Sequence, residues 1–440
     1  MASETKYKED RTRLTPEKMN TNVNSKPWPV VEVQKVCDLI VDCVNKTAPT
    51  VDHITPYKMI RTTNIRSGKA DLTVCRYVEA DTYEKWTRRA KVKAGDVLLT
   101  REAPLGEVGY ISLDDTVFLG QRIMQYRANP KVLDYRYLHY VFLSPALRYQ
   151  FGVHEGSGSV VSHIRVGDCY KFKIPLPPLK EQTVIANILG TLDDKIDLNN
   201  QMNSTLEQIA QTLFKRWFID FEFPDENENP YKSSGGRMVD SELGEIPEGW
   251  EVKKLEDIAA INEGSIKKDY LYEEILYVDI SSVDKGKLLE TTKYDIEKAP
   301  SRARRIVKNG DIIWSMVRPN RRSFLLILDP QKNLVVSTGF AVISPKVVPY
   351  PYLYLWLTTD SFVSYLSLSA DGSAYPAVTA ERFKEAKVLV PKQTILKEFD
   401  KITSSLLIKK DLNSKESLNL SKIRDFLLPK LMSGKIRVEC

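Results

Sequence analysis

The chain has 440 residues, 42% of them hydrophobic and 28% charged, with a formal net charge of +6. That length points to two or three domains, and that composition to a core of ordinary size rather than to a disordered or collagen-like chain. No apolar run reaches the roughly 18 residues of a membrane span, the N-terminus MASETKYKEDRTRLTPEKMN is too polar for a secretory signal, and the expected compartment is the cytoplasm.

Cysteines and histidines add little. Cys37, Cys43, Cys75, Cys169 and Cys440 form no CxxC pair, and His53, His139, His154 and His163 show no ligand spacing. Neither a disulfide framework nor a metal site is expected. A pI near 8.7 permits nucleic-acid binding, and a solvated surface explains it equally well.

In chain order, residues 1–27 read as a polar tail, expected to be flexible. From Trp28 to Pro178 short β-rich runs such as DVLLT (96–100) alternate with helical stretches such as DYRYLHYVFLSPALRYQF (134–151). Pro177-Pro178 then stops the last strand and suits a helix start, so 179–222 is expected as a long helical segment. Residues 223–247 (PDENENPYKSSGG and beyond) lose apolar periodicity and read as a linker. A second mixed segment follows at 248–391, with YVDISSV (277–283), DIIWSMV (311–317) and SFLLIL (323–328), and a second long helix at 392–440. The predicted fold class is therefore α+β: two mixed α/β domains in tandem pseudo-repeat, separated by two long helices.

The halves are a duplication. VKAGDVLLTREAP (92–104) aligns with VKNGDIIWSMVRP (307–319), and GSVVSHIRVGDCYKFKIPLP (158–177) with GSAYPAVTAERFKEAKVLVP (372–391). Trp28 and Trp250 open the two halves, and the spacing drifts from about 222 residues there to about 214 in the helices, as loop insertions cause.

Both helices carry a polar interruption, KIDLNN (195–200) and KKDLNS (409–414). A heptad frame puts Ile185, Leu192, Asn199, Leu206 and Leu213 at one seam position and Leu189, Ile196, Asn203, Ala210 and Trp217 at the other. In the second helix the frame gives Phe399, Leu406, Asn413, Leu420 and Leu427, then Ile395, Ile402, Lys409, Glu416 and Ile423. Rods of about 58 Å cannot bury such seams alone. Packed antiparallel, they would bring Asn199 and Asn413 together as the register device of a coiled coil; a wet, merely tolerated waist is the alternative. The arrangement would present two similar but non-identical heads, which suits a partner with two-fold symmetry such as duplex DNA.

The stretches IPLPPLKEQTVIANILGTLDDKIDLNNQMN, LFKRWFIDFEFP and LGEIPEGWEV, with MIRTTNI (59–65), REAPLGEVG (101–109), FLGQR (118–122) and GSGSVVSHIR (156–165), resemble the specificity subunits of type I restriction–modification systems. The resemblance runs from Trp28 to Val438. It implies two target-recognition domains, each reading one half of an asymmetric bipartite DNA target, with the helices as spacer. It also implies two modification subunits that carry S-adenosylmethionine and methylate adenine, and two restriction subunits that use ATP and Mg. This chain would hold no cofactor and no active site. In agreement, it contains neither a Gly-x-x-x-x-Gly-Lys-Ser/Thr loop nor an Asn/Asp-Pro-Pro-Tyr/Phe signature.

Base readout favours Arg for guanine and Asn or Gln for adenine, with Lys, Ser and Thr on phosphates. The first domain offers Arg61, Thr62, Thr63 and Asn64, then Arg101, Gln121 and Arg122, with Arg88, Arg89 and Lys91 as a phosphate cluster. Local capping competes for RTTN and GQR, and a solvated turn for the basic cluster. In the second domain RTTN becomes Asp279-Ile280-Ser281-Ser282 and GQR becomes Thr338-Gly339. Basic residues shift to Arg302, Arg304 and Arg305, and to Arg318, Arg321 and Arg322. Ser159 and Ser373, each after a glycine, could set backbone amides against phosphate or simply turn the chain. A protein-binding scaffold and a self-sufficient DNA enzyme are the competing readings. Steep salt dependence of DNA binding would exclude the first, and the second would need methyl transfer or cleavage by this chain alone.

Overall fold

Two or three residues separate each long helix from a preceding strand that proline closes off. Strand Lys173–Pro175 is followed by helix Leu179–Phe214, and strand Lys387–Val390 by helix Gln393–Met432. Proline has no amide to donate, so the ladder stops there, and its fixed φ is compatible with a first helical turn. A computed structural model describes residues 19–20, 27–112, 114–153, 163–267, 269–371 and 376–439. The chain divides into two units: 1–194 with 421–440, and 195–420. Each holds one α+β domain and a part of each long helix.

In the first unit the strands that matter for function are β1 (Cys37–Asp42), β2 (Lys58–Ile60), β3 (Arg76–Tyr77), β4 (Val97–Thr100), β5 (Val108–Tyr110), β6 (Val117–Leu119) and β7 (Ile123–Ala128). One sheet has the order β1-β7-β4-β5 and is antiparallel. The other has the order β6-β2-β3, with β6 parallel to β2. Val97, Leu99, Met124 and Tyr126 turn one sheet face onto Tyr137, Leu138, Val141 and Phe142 of helix Tyr135–Leu143, while Leu98 and Ile123 face Ile60, Val117 and Leu119. Alternation along the strands thus sends successive residues into two different cores.

The second unit repeats this plan with β8 (Ala259–Ile261), β9 (Glu274–Val278), β10 (Thr292–Asp295), β11 (Ala303–Ile306), β12 (Ile312–Ser315), β13 (Phe324–Leu326), β14 (Leu334–Ser337) and β15 (Phe340–Pro345). Its sheets are β8-β15-β12-β13 and β10-β9-β14-β11, with β9 parallel to β14. The repeated Gly-Asp pair explains itself here. Gly95 and Gly310 sit at φ +85° and +86°, which a side chain rarely tolerates. Asp96 and Asp311 then accept from the amides of Lys93 and Lys308, at 2.7 and 2.8 Å, closing the turn before β4 and β12.

The helices run antiparallel within each unit. In the first, Asp193 accepts from Arg424 at 2.7 Å and Glu181 from Arg437 at 2.7 Å. Glu181 also accepts from Trp28 Nε1 at 3.1 Å, which ties the opening tryptophan to the helix start. In the second, Asn199 pairs with Glu416, Asn203 with Asn413 and Ser414, and Glu207 with Lys410. The asparagines are not in a wet waist: Asn199, Asn203 and Asn413 are 0%, 5% and 2% exposed. Asn413 Nδ2 donates to Asn203 Oδ1 at 3.0 Å, and Asn199 Nδ2 to Glu416 Oε2 at 2.8 Å.

Three features depart from the expectations. The second helix's other seam position is displaced by one residue: Ile402 and Ile423 are 44% and 47% exposed, while Leu396, Thr403 and Leu431 are buried. The heptad frame followed the isoleucines, but the seam is filled by polar groups with partners across it, Lys410 on Glu207 and Arg424 on Asp193. Segment 223–247 is not a bare linker. Phe223 stacks between Tyr231 and Trp250 at 4.6 and 4.9 Å, and strands Met238–Ser241 and Gly244–Pro247 pair as a hairpin. Within the tail, Met19–Asn20 pairs with Arg437–Val438, and its other residues before Pro27 lie outside the described ones.

Removing Asn413 strands the buried acceptor of Asn203. Asn413→Ala is expected to lose about 1–3 kcal/mol in urea unfolding, against little for the exposed neighbour Asn200→Ala. Equal stability of the two variants would contradict the network.

Candidate nucleic-acid interface

Parallel pairing brings distant loops to one end of each domain. In the first, Ile60 of β2 lies opposite Leu119 of β6, and Ile123 of β7 opposite Thr100 of β4. The runs 61–64, 101–104 and 120–122 therefore leave the sheets side by side. Gly120 N donates to Ile60 O at 2.7 Å, Arg101 N to Arg122 O at 2.8 Å, and Thr62 Oγ1 to Ala103 O at 2.8 Å.

The side chains in this cluster divide by what already holds them. Asn64 is buried and its Oδ1 accepts from Arg61 N at 2.9 Å, so it caps the 3-10 turn Thr62–Asn64 and does not reach a base. Gln121, with its amide oriented to satisfy both groups, accepts from the amides of Lys46 and Thr47 at 3.2 Å each. It braces a neighbouring loop instead of projecting. Thr62 is spent on Ala103, whereas Thr63 keeps part of its surface open to solvent.

The arginines are differently placed. Arg61 Nε and Arg101 Nε are buried without a hydrogen-bond partner, and Arg101 Nη1 donates to Ile164 O at 3.1 Å. Arg122 Nε lies 2.6 Å from Glu102 Oε1. In the basic cluster Arg88 is exposed, Arg89 pairs with Asp42, and Lys91 lies 3.2 Å from Glu84. Exposed pairs of this kind are worth about 0–1 kcal/mol and can be traded for phosphate. Ser159 and Ser373 lie outside the described residues.

The second domain reproduces the geometry with other residues. Val278 of β9 lies opposite Val336 of β14, Ser315 of β12 opposite Phe340 of β15, and Met316 N donates to Gly339 O at 2.9 Å, the counterpart of the Arg101–Arg122 bond. Asp279 stands where Arg61 stands in the first domain, at the N-cap position of a 3-10 turn, here Ile280–Ser282, and caps it with its own side chain. Its Oδ1 accepts from Ser281 Oγ at 2.7 Å and from Ser282 N and Oγ at 3.0 Å each. Burial pushes this carboxyl's pKa up, but the bonds to Ser281 and Ser282 outweigh it and the net shift is downward. The hydroxyls of Ser281 and Ser282 are thus engaged locally.

A concavity of about 1010 Å³ opens here, lined by Asp279, Ser281, Arg302, Arg318 and Arg321 among others. Lys285, Tyr294 and Asn320 also line it and were not singled out from sequence, because no motif marks them. Thr338 N donates to Arg302 O at 2.8 Å, fixing the loop that carries that arginine. Arg304, Arg305 and Arg322 do not line the concavity. Arg304 Nε reaches Ser301 O at 3.3 Å, Arg305 Nη1 reaches Asn262 O at 3.5 Å, and Arg322 pairs with Asp360. Arg318 and Arg322 flank the turn Pro319–Arg321 at φ 49° and 58°. A left-handed conformation costs a non-glycine residue about 1–2 kcal/mol, and it persists where surrounding contacts impose it.

The sequence pattern of the type I restriction modification DNA specificity domain matches twice, at residues 26–208 and 247–417. The chain belongs to this family. It is similar to the type I restriction enzyme MjaIX specificity subunit of Methanocaldococcus jannaschii, 29% identical over 352 residues covering 78% of each chain. The HindI specificity subunit of Haemophilus influenzae is 24% identical over 405 residues, 78% of this chain and 87% of that one. Among solved structures, the S subunit of the type I restriction–modification system from M. genitalium shares the fold, with a TM-score of 0.58 at 18% identity over 94% of this chain and 98% of that one. The two matched segments are the two repeats, and the strand-end loops lie within them.

Arg61 as a base reader and Arg321 as a phosphate contact would respond differently to substitution. Arg61→Ala is expected to relax discrimination at one position of one half-site by about 1–3 kcal/mol. Arg321→Ala should weaken binding to all sequences and flatten the salt dependence by about one phosphate contact. Competition binding of the two variants at several salt concentrations checks both, and an unchanged salt slope for Arg321→Ala would place that residue outside the interface.

Proposed function

We propose that this chain is the specificity subunit of a type I restriction–modification complex. Each domain reads one half of an asymmetric bipartite DNA target, and the chain directs chemistry that other subunits perform. The observation that carries this reading is the recurrence of one loop geometry with different side chains. Arg61, Thr63, Arg101 and Arg122 stand at the strand ends of the first domain, and Asp279, Ser281, Arg318 and Arg321 at those of the second. A shared scaffold with diverged reading residues is what two unlike half-sites require.

In this reading the chain is not an enzyme. Two modification subunits would supply S-adenosylmethionine and methylate adenine, and two restriction subunits would bring ATP and Mg for cleavage. Exposed aliphatic side chains on the helices of the second unit support subunit docking there: Leu198, Ile209, Ile402, Ile408 and Leu412 are 44–55% exposed. Asn199 and Asn413 would fix the helix register. No described helix is long and apolar enough to cross a membrane, and the cytoplasm, where DNA is accessible, is the proposed compartment.

Mapping modified adenines tests the reading. The chain is co-expressed with its modification subunit, and the modification subunit alone serves as control. A bipartite motif with one modified adenine in each half, present only with this chain, is the expected result. Absence of new methylation despite stable co-purification would favour a scaffold.

A further inference from the structure

The two reading sites carry opposite charge at one equivalent position. Arg61 and Asp279 each follow the last residue of the parallel-paired strand, β2 or β9, and each stands at the N-cap position of the 3-10 turn that comes next, where the Asp279 side chain caps the turn itself and the Arg61 side chain does not. An arginine there can only donate. An ionised carboxylate can only accept.

Asp279 lines the same concavity as Arg302, Arg318, Arg321 and Lys285. Those cations suit phosphates, which a carboxylate repels. Duplex DNA offers a carboxylate few partners, because the only donors on its major-groove edges are the amino groups of cytosine N4 and adenine N6. Adenine N6 is flanked by acceptors on both sides, its own N7 and the O4 of the paired thymine, which oppose a second negative oxygen, while cytosine N4 has an acceptor on one side only, the O6 of the paired guanine. The three hydrogen bonds that Asp279 accepts from Ser281 Oγ and from Ser282 N and Oγ fall on Oδ1, and the Ser281 amide also supports the carboxylate. With about four lone-pair sites on its two oxygens, an ionised carboxylate still has room for one more donor. The bonds on Oδ1 also hold the carboxylate in place for that contact.

We infer that Asp279 is a specificity-determining residue of the second domain that selects cytosine through its N4 amino group, where the equivalent Arg61 of the first domain selects a base by donating. The inference rests on the proposed DNA-reading function. It assigns this carboxylate a role beyond capping its own turn.

The test uses Asp279→Asn in the full chain assembled with its modification subunit. Asparagine caps a turn as well as aspartate does, but prefers adenine, which it meets through N6 and N7. Selection from a duplex library randomised in both half-sites gives the preferred base at every position. The wild type should show cytosine at one position of one half-site. Asp279→Asn should replace it there by adenine, with a swing of roughly ten- to a hundredfold and the other half-site unchanged. Asp279→Ser, which also caps, should relax that position without a new preference. Cytosine retained by both variants would overturn the inference and leave Asp279 as a cap only. No bipartite preference in the wild type would overturn the functional reading itself, and the inference with it.

Discussion

A parallel pairing of two strands far apart in sequence is the constraint on which each interface depends. β2 and β6 are separated by more than fifty residues, as are β9 and β14, yet each pair runs in the same direction. Parallel strands cannot be joined by a tight turn, so both end on the same side and their exits lie together. The antiparallel partners β4 and β7, or β12 and β15, add two more exits at that end. Loops from three parts of each repeat are thereby held by sheet hydrogen bonds rather than by one another. Their side chains can change without unfolding the domain. That freedom is visible in the replacement of Arg61 by Asp279 at one backbone position.

The long helices show the opposite behaviour, in which polar groups are retained inside a seam. Asn199, Asn203 and Asn413 are buried, and their side-chain amides find partners across the helix pair. Burying such groups costs free energy unless every one is satisfied, so a shifted register would be penalised for each asparagine left unpaired. Lys410 against Glu207 works the same way, with both side chains less than one-fifth exposed. Apolar residues alone would pack almost as well one turn away. The polar pairs remove that ambiguity.

Much of this was legible in the residues. The duplication, the two helices and the first helix's seam followed from spacing, because helical periodicity and repeated Gly-Asp and proline landmarks are local signals. The second helix was harder. Ile402 and Ile423 invite a heptad frame, and only the partners of Lys410 and Arg424, remote in sequence, show that the seam runs one residue away. Candidate readers were legible as Arg-, Thr- and Asn-bearing runs, but residue type could not separate a reader from a brace. Asn64 and Gln121 carry the chemistry to read adenine and instead hold main-chain amides. Segment 223–247 looked like a linker since its order comes from one aromatic stack, Tyr231, Phe223 and Trp250, and not from periodicity.

Photo-cross-linking from the strand-end loops tests the central claim most directly. A photoreactive aromatic residue would replace Thr63 in one preparation and Ser281 in another, each in the full chain with its modification subunit on a duplex bearing the mapped target. The account predicts that the two positions cross-link to different half-sites, and that each cross-link is lost when its own half-site is scrambled. Cross-linking of both positions to the same half-site, or equally to scrambled DNA, would contradict it.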